Sequence, residues 1–213
     1  VHHLHHEQSC SIAAESHARH NYKPCVVNIT AGPGAINSLN GVFGAYVDSI
    51  PMIIISGQAK RATLVTSYND PNLRQLGDQE VDICDAAKKM TKYITQLKDP
   101  KNVKYELEKI VHLSMNGRPG PCWLDVPIYV QGSIIEIDNL KSFKSSLIED
   151  NSLKKINYQK INTLFKKLIN AKRPLIYAGS GIRASNTQKQ LISLSENLNI
   201  PIVTSWNSND IIW

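Results

Sequence analysis

Short apolar runs bounded by turn residues constrain the fold of this sequence more than any other feature. Five such runs occur, at residues 25–30, 51–56, 122–126, 174–178 and 201–205. They are continuously apolar instead of alternating with polar residues, which is typical of strands buried on both faces of a parallel sheet. The runs therefore predict strands with helices on both sides.

The segments between these runs carry apolar residues at helical spacing. Three stripes, at 36–47, 103–114 and 161–169, predict helices, and Gly117 offers a stop for the second. Strands that alternate with helices predict an α/β fold with a parallel sheet flanked by helices. Such folds bind ligands at the carboxyl ends of their strands.

A polar stretch rich in Lys, Ser and Asn interrupts the pattern at residues 132–157 and is interpreted as a linker. It separates a first domain, 1–131, from the start of a second, Rossmann-like α/β domain, 158–213. Only two strands are predicted after the linker, fewer than a stable sheet needs. The second domain is therefore expected to be incomplete.

The net charge of +6 does not indicate nucleic-acid binding. Nine of the 24 basic residues lie between Lys141 and Arg173, where Glu149 and Asp150 are the acidic residues. The excess charge falls on the linker and one helix face, which favours a solvated surface over a nucleic-acid site. No apolar run approaches the roughly 20 residues that span a bilayer, so no membrane partner is expected.

Cysteine and histidine usage predicts no metal site. The four cysteines are widely spaced and form no C-x-x-C pair, which favours reduced thiols in the cytoplasm. The histidines around Leu4 are more typical of a loop than of a ligand set with its supporting hydrogen bonds. Their positions are His2, His3, His5 and His6.

Two glycine-containing turns follow predicted strands. The turn at 30–37 lacks the spacing of either common phosphate-binding fingerprint. Gly179 and Gly181 form a G-x-G that fits a dinucleotide site and a tight turn equally well. Glu7 begins a helical segment rich in small residues, where a carboxylate is favourable for electrostatic reasons alone.

Acidic residues concentrate after Gly57-Gln58. Paired carboxylates can perform acid–base chemistry, but a solvated acidic surface is the more common outcome. The residues are Asp70, Asp78, Glu80, Asp82 and Asp85.

Taken in order, several short motifs resemble the amino-terminal, pyrimidine-binding domain of thiamine diphosphate enzymes, with the acetolactate synthase group as the most similar branch. The resemblance covers residues 5–131 and resumes over 171–209. The motifs are HEQ at 6–8, TAGPGAIN at 30–37, DSIPM at 48–52, SGQ at 56–58, DQE at 78–80, MTK at 90–92, GRPGP at 117–121 and LDVP at 124–127.

The resemblance implies roles for individual residues. Glu7 would hydrogen-bond N1′ of the aminopyrimidine and favour the imino tautomer, whose nitrogen removes the thiazolium C2 proton; this requires a dry site. Pro33, Gly34 and Asn37 would contact the pyrimidine, and Gln79 would line the substrate region.

The same branch implies a structural FAD. Arg118 matches an arginine that contacts the flavin, and Gly179 and Gly181 would lie near it. The Mg²⁺ site of the family lies in a carboxyl-terminal domain whose Gly-Asp-Gly run does not occur in this sequence. The chain also lacks an initiator Met, and we expect it to be a piece of a longer protein, inactive alone.

The function implied is decarboxylation of a 2-oxo acid such as pyruvate and transfer of the two-carbon unit to an acceptor, as in branched-chain amino acid biosynthesis. A homodimer or homotetramer would clamp the cofactor between subunits. Alternatives are a simple 2-oxo acid decarboxylase, a side-pathway carboligase and a non-catalytic nucleotide-binding module. Two departures bear on the choice: Asp78 replaces a phenylalanine and Ile128 replaces a lysine of the acetolactate synthase pattern.

Overall fold

The computed structural model divides the chain into two units, residues 1–150 and 151–213. It describes residues 1–68, 70–147 and 157–212. The predicted linker includes residues 148–156, which lie outside the described residues.

Helices and strands alternate along the first unit. In chain order they are α1 (Glu7–Asn21), β1 (Cys25–Ile29), α2 (Pro33–Asp48), β2 (Met52–Gln58), α3 (Ile83–Ala87), β3 (Tyr93–Gln96), α4 (Val103–Met115), β4 (Pro121–Pro127) and α5 (Ile128–Gln131). All four strands are parallel, in the order β1-β2-β4-β3. The predicted α/β class with a parallel sheet flanked by helices is confirmed.

The core lies on both faces of this sheet. On one face Val27, Ile54 and Trp123 pack with the small residues of α1 and α2. On the other face Leu124 packs with Ile110 of α4. Strands β2 and β4 are almost wholly buried because helices cover both of their faces.

Close contact between α1 and α2 depends on small residues. A Cβ atom at Gly41 of α2 would lie 2.5 Å from both the carbonyl carbon and the Oγ of Ser11 in α1. The face of α2 that is buried carries mainly Ala, Gly and Ser, while Phe43 is 54% exposed. Of the large apolar stripe at 36–47, Leu39 packs against the core. The other members, Ile36, Phe43, Tyr46 and Val47, are exposed.

The sequence predicted that β1 would be buried on both faces, but one of its faces is exposed. Val26 is 57% exposed, although its neighbours Val27 and Ile29 are buried. β1 is an edge strand, and α4 packs against β2, β3 and β4. This arrangement leaves one face of β1 exposed.

The second unit contains, within residues 157–212, two parallel strands and three α-helices. Its elements are α6 (Tyr158–Asn170), β5 (Ile176–Ala178), α7 (Gly181–Ala184), α8 (Gln188–Leu198) and β6 (Ile202–Thr204). Ala178, Leu191 and Ile211 form its small core. The predicted stripe of α6 is present but exposed, as at Leu164 and Phe165.

The cysteines are all free thiols in the structure. Burial raises the pKa of Cys84 and of Cys122 to about 12, so both are protonated at neutral pH. Among the described residues, no helix is both long and apolar enough to cross a membrane.

The contact between α1 and α2 can be tested with two glycines of the same helix. We expect Gly41→Ala to lower the free energy of unfolding by about 1–3 kcal/mol, because the methyl group has no space against Ser11. Gly44→Ala meets no atom within 4 Å and should be stabilising by about 0.5–1 kcal/mol. Denaturant unfolding measures both, and equal effects would contradict this packing.

Candidate functional site

The side chain of Glu7 lies beside the turn that joins β1 to α2. Its Oε2 accepts a hydrogen bond of 3.2 Å from Nδ2 of Asn37. Helix α1 begins at Glu7, and the His6 ring caps it by accepting from the Gln8 backbone N–H at 3.1 Å. Because α1 packs along α2, the first turn of each helix comes together at one edge of the sheet.

Gly34 leaves the Glu7 carboxylate uncovered. A Cβ atom at position 34 would lie 3.1 Å from Oε1 of Glu7 and 2.6 Å from Cγ2 of Thr30. Any larger residue would press on both side chains. Pro33 occupies the first helical position of α2, where its missing N–H costs no hydrogen bond.

The Glu7 carboxyl is ionised at neutral pH. Its pKa lies below the ordinary value because a backbone N–H and the Asn37 amide both donate to the carboxylate. The side chain is partly exposed. The described residues of the first unit therefore do not form the dry surroundings expected for Glu7.

Gln79 approaches the same turn through its backbone. Gly32 has a φ of +55°, and a Cβ there would lie 1.8 Å from the carbonyl oxygen of Gln79. Gln79 itself has a φ of 56°. Thus Glu7, Gly34, Asn37 and Gln79, which belong to three separate motifs, are all close to one turn.

An open cleft adjoins this turn at the carboxyl ends of β1, β2 and β4. Thr30 and Ala31 belong to both the turn and the cleft wall. The remaining lining residues are Asn28, Ile29, Ile55, Ser56, Gly57, Gln58, Ala59, Val126, Ile128 and Gln131. The position agrees with the general location of ligand sites in α/β folds.

A buried polar network, whose members Ser56 and Gln58 also line the cleft, was not predicted. Asp125 of β4 is fully buried, and its carboxylate accepts from Ser56 Oγ at 2.6 Å, Gln96 Nε2 at 3.0 Å and Gln58 Nε2 at 3.2 Å. Trp123 Nε1 donates to Ser56 Oγ at 2.9 Å. Burial raises the pKa of Asp125, while these hydrogen bonds act in the opposite direction. An aspartate inside the apolar run 122–126 was the available signal.

Two of the acidic residues after Gly57, Glu80 and Asp82, make structural contacts to the backbone. Glu80 is buried and accepts from the backbone N–H groups of Val65, Leu76 and Gly77. Asp82 caps α3.

The residues predicted to contact a flavin fall in both units, and Arg118 is the one that belongs to the first. Arg118 precedes β4, at the amino end of the strands, and its Nε donates to Ser49 Oγ at 2.6 Å. Gly179 and Gly181 follow β5 in the second unit, where an added Cβ would meet no atom within 4 Å at either position. Their role toward a flavin stays a prediction.

Within the described parts of the chain, no three His, Cys, Asp or Glu residues come together in a way that could hold a metal ion. His6 caps α1 instead.

Comparison with known families identifies both units. The family model described as thiamine pyrophosphate enzyme, N-terminal TPP binding domain, matches residues 1–86. The model for the central domain of the same enzymes matches residues 161–212. The chain belongs to the thiamine pyrophosphate enzyme family. The resemblance inferred from the motifs is confirmed.

Individual relatives in this thiamine pyrophosphate family support the acetolactate synthase branch. The chain is 33% identical over 204 residues to the acetolactate synthase large subunit of Buchnera aphidicola from Acyrthosiphon pisum, covering 94% of this chain and 34% of that protein. It is 30% identical over 200 residues to acetolactate synthase isozyme 3 large subunit of Escherichia coli K12, covering 94% and 33%. The chain thus spans about a third of the length of these relatives.

The bond between Glu7 and Asn37 predicts the effect of removing the amide. In Asn37→Ala the pKa of Glu7 should rise toward its ordinary value, because a donor to the ionised form is lost. The measurement is a ¹³C NMR titration of the Glu7 carboxyl. Asn40→Ala, at an exposed position of the same helix, should leave that pKa unchanged. An unchanged pKa in both variants would disprove the contact.

Proposed function

We propose that this chain forms part of a thiamine diphosphate-dependent enzyme that decarboxylates a 2-oxo acid such as pyruvate and transfers the two-carbon unit to a carbonyl acceptor. The observation that carries the proposal is the uncovered Glu7 carboxylate against Gly34, bonded to Asn37. The similarity to acetolactate synthase large subunits supports the carboligating reaction.

The residues present fit the aminopyrimidine half of the cofactor. Gly34 has no side chain to cover Glu7, so a planar ring can reach the carboxylate beside the turn. Glu7 would hold a proton between its carboxylate and ring atom N1′, and Asn37 would keep that carboxylate oriented. When bound, thiamine diphosphate supplies the carbon nucleophile and the electron sink for decarboxylation.

The electrostatics of Glu7 support a site completed by another surface. A carboxylate that shares a proton requires a higher pKa than the one found here, and burial is the usual cause of such a rise. We propose a second copy of the protein as the partner in a homodimer or homotetramer. The exposed apolar residues Ile36, Phe43 and Val47 on α2 support an interface along this helix, whose first turn lies beside Glu7.

The proposed role of Glu7 is tested by kinetics in the full-length protein with thiamine diphosphate, Mg²⁺ and pyruvate. Glu7→Gln should lower the rate of CO₂ release by about 10²–10⁴-fold, because the proton-sharing carboxylate is removed. Glu15→Gln is the matched control in the same helix, where the side chain instead pairs with Arg19; its rate should stay near wild type. A Glu7→Gln enzyme with normal turnover would contradict the assignment.

Product analysis distinguishes the carboligase from a simple decarboxylase. A carboligase forms a 2-hydroxy-2-acyl acid from two molecules of pyruvate, with release of one CO₂, whereas a simple decarboxylase releases acetaldehyde. Ile128 lines the cleft where the acetolactate synthase pattern carries lysine, which supports a different acceptor preference. A non-catalytic module would give neither product.

FAD, Mg²⁺ and location are further proposals. Arg118 exposes its side chain at the amino edge of the sheet, where a flavin could bind it; release of FAD from the denatured full-length protein would support this. Mg²⁺ would be bound outside the described residues. The free thiols support a reducing compartment such as the cytoplasm.

A further inference from the structure

Gln58, the last residue of β2, uses all of its amide groups. Its Nε2 donates to Asp125 Oδ2 at 3.2 Å and to the carbonyl oxygen of Val81 at 2.9 Å, while its Oε1 accepts from the Ala59 backbone N–H at 2.9 Å. The side chain is 5% exposed. Reversing the amide would put its oxygen against two acceptors, so the orientation is fixed.

Asp125 in turn has a fixed position. Its second oxygen accepts from Ser56, whose hydroxyl is itself bonded by the buried Trp123 indole. The Leu97 backbone N–H also donates to the Asp125 carbonyl at 2.8 Å. A carboxylate on β4 that accepts from both β2 and β3 is a rigid point in the sheet, because its partners Ser56 and Gln58 are buried and Gln96 ends β3.

The bond to Val81 carries this rigidity to the segment that contains Gln79. Val81 lies two residues after Gln79, and the carbonyl of Gln79 lies against Gly32 so closely that no Cβ fits between them. Gly32 opens the turn whose Gly34 faces Glu7. A continuous set of contacts therefore runs from Asp125 through Gln58 to the turn beside Glu7.

We propose that Gln58 is a positioning residue that holds the Gln79 segment against the glycine–proline turn, with the buried carboxylate of Asp125 as its anchor. The inference rests on the proposed function for the role of Gln79 as a wall of the 2-oxo acid site. It assigns to Gln58 no contact with substrate or cofactor.

Gln96 provides a matched control. It is also a glutamine at the end of a strand, and its Nε2 donates to the same oxygen of Asp125 at 3.0 Å. In the described part of the chain its side-chain amide makes no bond to residues 79–82. Replacing Gln96 removes one bond to Asp125, as replacing Gln58 does, but leaves the Val81 bond in place.

The experiment compares wild type, Gln58→Met and Gln96→Met in the full-length protein loaded with thiamine diphosphate and Mg²⁺. Methionine conserves the side-chain length and removes the amide. We expect Gln58→Met to raise the KM for pyruvate about tenfold with kcat changed less, since binding contacts are displaced while Glu7 remains. Gln96→Met should change KM less than about twofold.

Hydrogen–deuterium exchange gives a readout that does not depend on turnover. The peptide covering residues 77–83 should exchange at least about tenfold faster in Gln58→Met than in Gln96→Met, because one of its anchors is lost. The Glu80 carboxylate also holds this segment in place, because it accepts from the backbone N–H groups of Val65 and Gly77. If Glu80 alone were sufficient to hold the segment, the two variants would exchange at the same rate. Equal exchange in the two variants overturns the proposal.

The two proposals fail in different ways. If the wild-type protein releases no CO₂ from pyruvate, the proposed function is wrong, and the exchange experiment still decides the role of Gln58. If wild type is active and the two variants have the same KM, the positioning role is wrong and the proposed function stands. If Gln58→Met does not fold, Gln58→Asn keeps a buried amide but shortens its reach, and the same outcomes apply.

Discussion

The close approach of two helices at small residues is the constraint on which the rest of the site depends. Gly41 allows α1 to lie on α2 at a separation that a single methyl group would prevent. The same packing brings the first residue of α1, Glu7, to the first turn of α2, where Gly34 again leaves space. The position of the carboxylate is thus set by backbone contact along the whole helix pair, with one side-chain hydrogen bond to orient it.

A second constraint acts from the interior of the sheet. A buried carboxylate is costly unless it is fully hydrogen-bonded, and Asp125 meets this requirement with donors from both neighbouring strands. Ser56 and Gln58 also line the cleft, and Gln96 ends β3. The polar groups that join β2, β3 and β4 at this edge therefore also determine where the following loops leave the sheet.

Most of the strands and helices could be predicted, because the pattern of apolar residues along the sequence determines them. The apolar runs predicted β1, β2, β4, β5 and β6, and the helical stripes predicted α2, α4 and α6. Strand β3 gave no such signal, because it lies at the sheet edge and ends in the polar pair Thr95-Gln96. The buried face of α2 also could not be predicted from its large residues. Small residues make the close contact of this helix, and Phe43 is exposed on another face.

Some residues of the candidate site could likewise be predicted from the sequence, and others could not. Glu7, Gly34 and Asn37 could be recognised because they belong to ordered motifs, and the structure brings them together. The Asp125 network could not be recognised, because a single aspartate in an apolar strand reveals neither its depth nor its partners. Glu80 showed the reverse: an acidic residue in a charged segment is buried, since it binds three backbone N–H groups that face inward.

The proposed action of Glu7 on the aminopyrimidine of thiamine diphosphate is tested by the exchange rate of the cofactor's C2 proton for deuterium. This rate is followed by ¹H NMR after acid quench in the full-length protein. Wild-type protein should accelerate this exchange by at least about 10²-fold over free cofactor, and Glu7→Ala should remove the acceleration while the cofactor remains bound. Equal exchange rates in wild type and Glu7→Ala, with the cofactor bound in both, would contradict it.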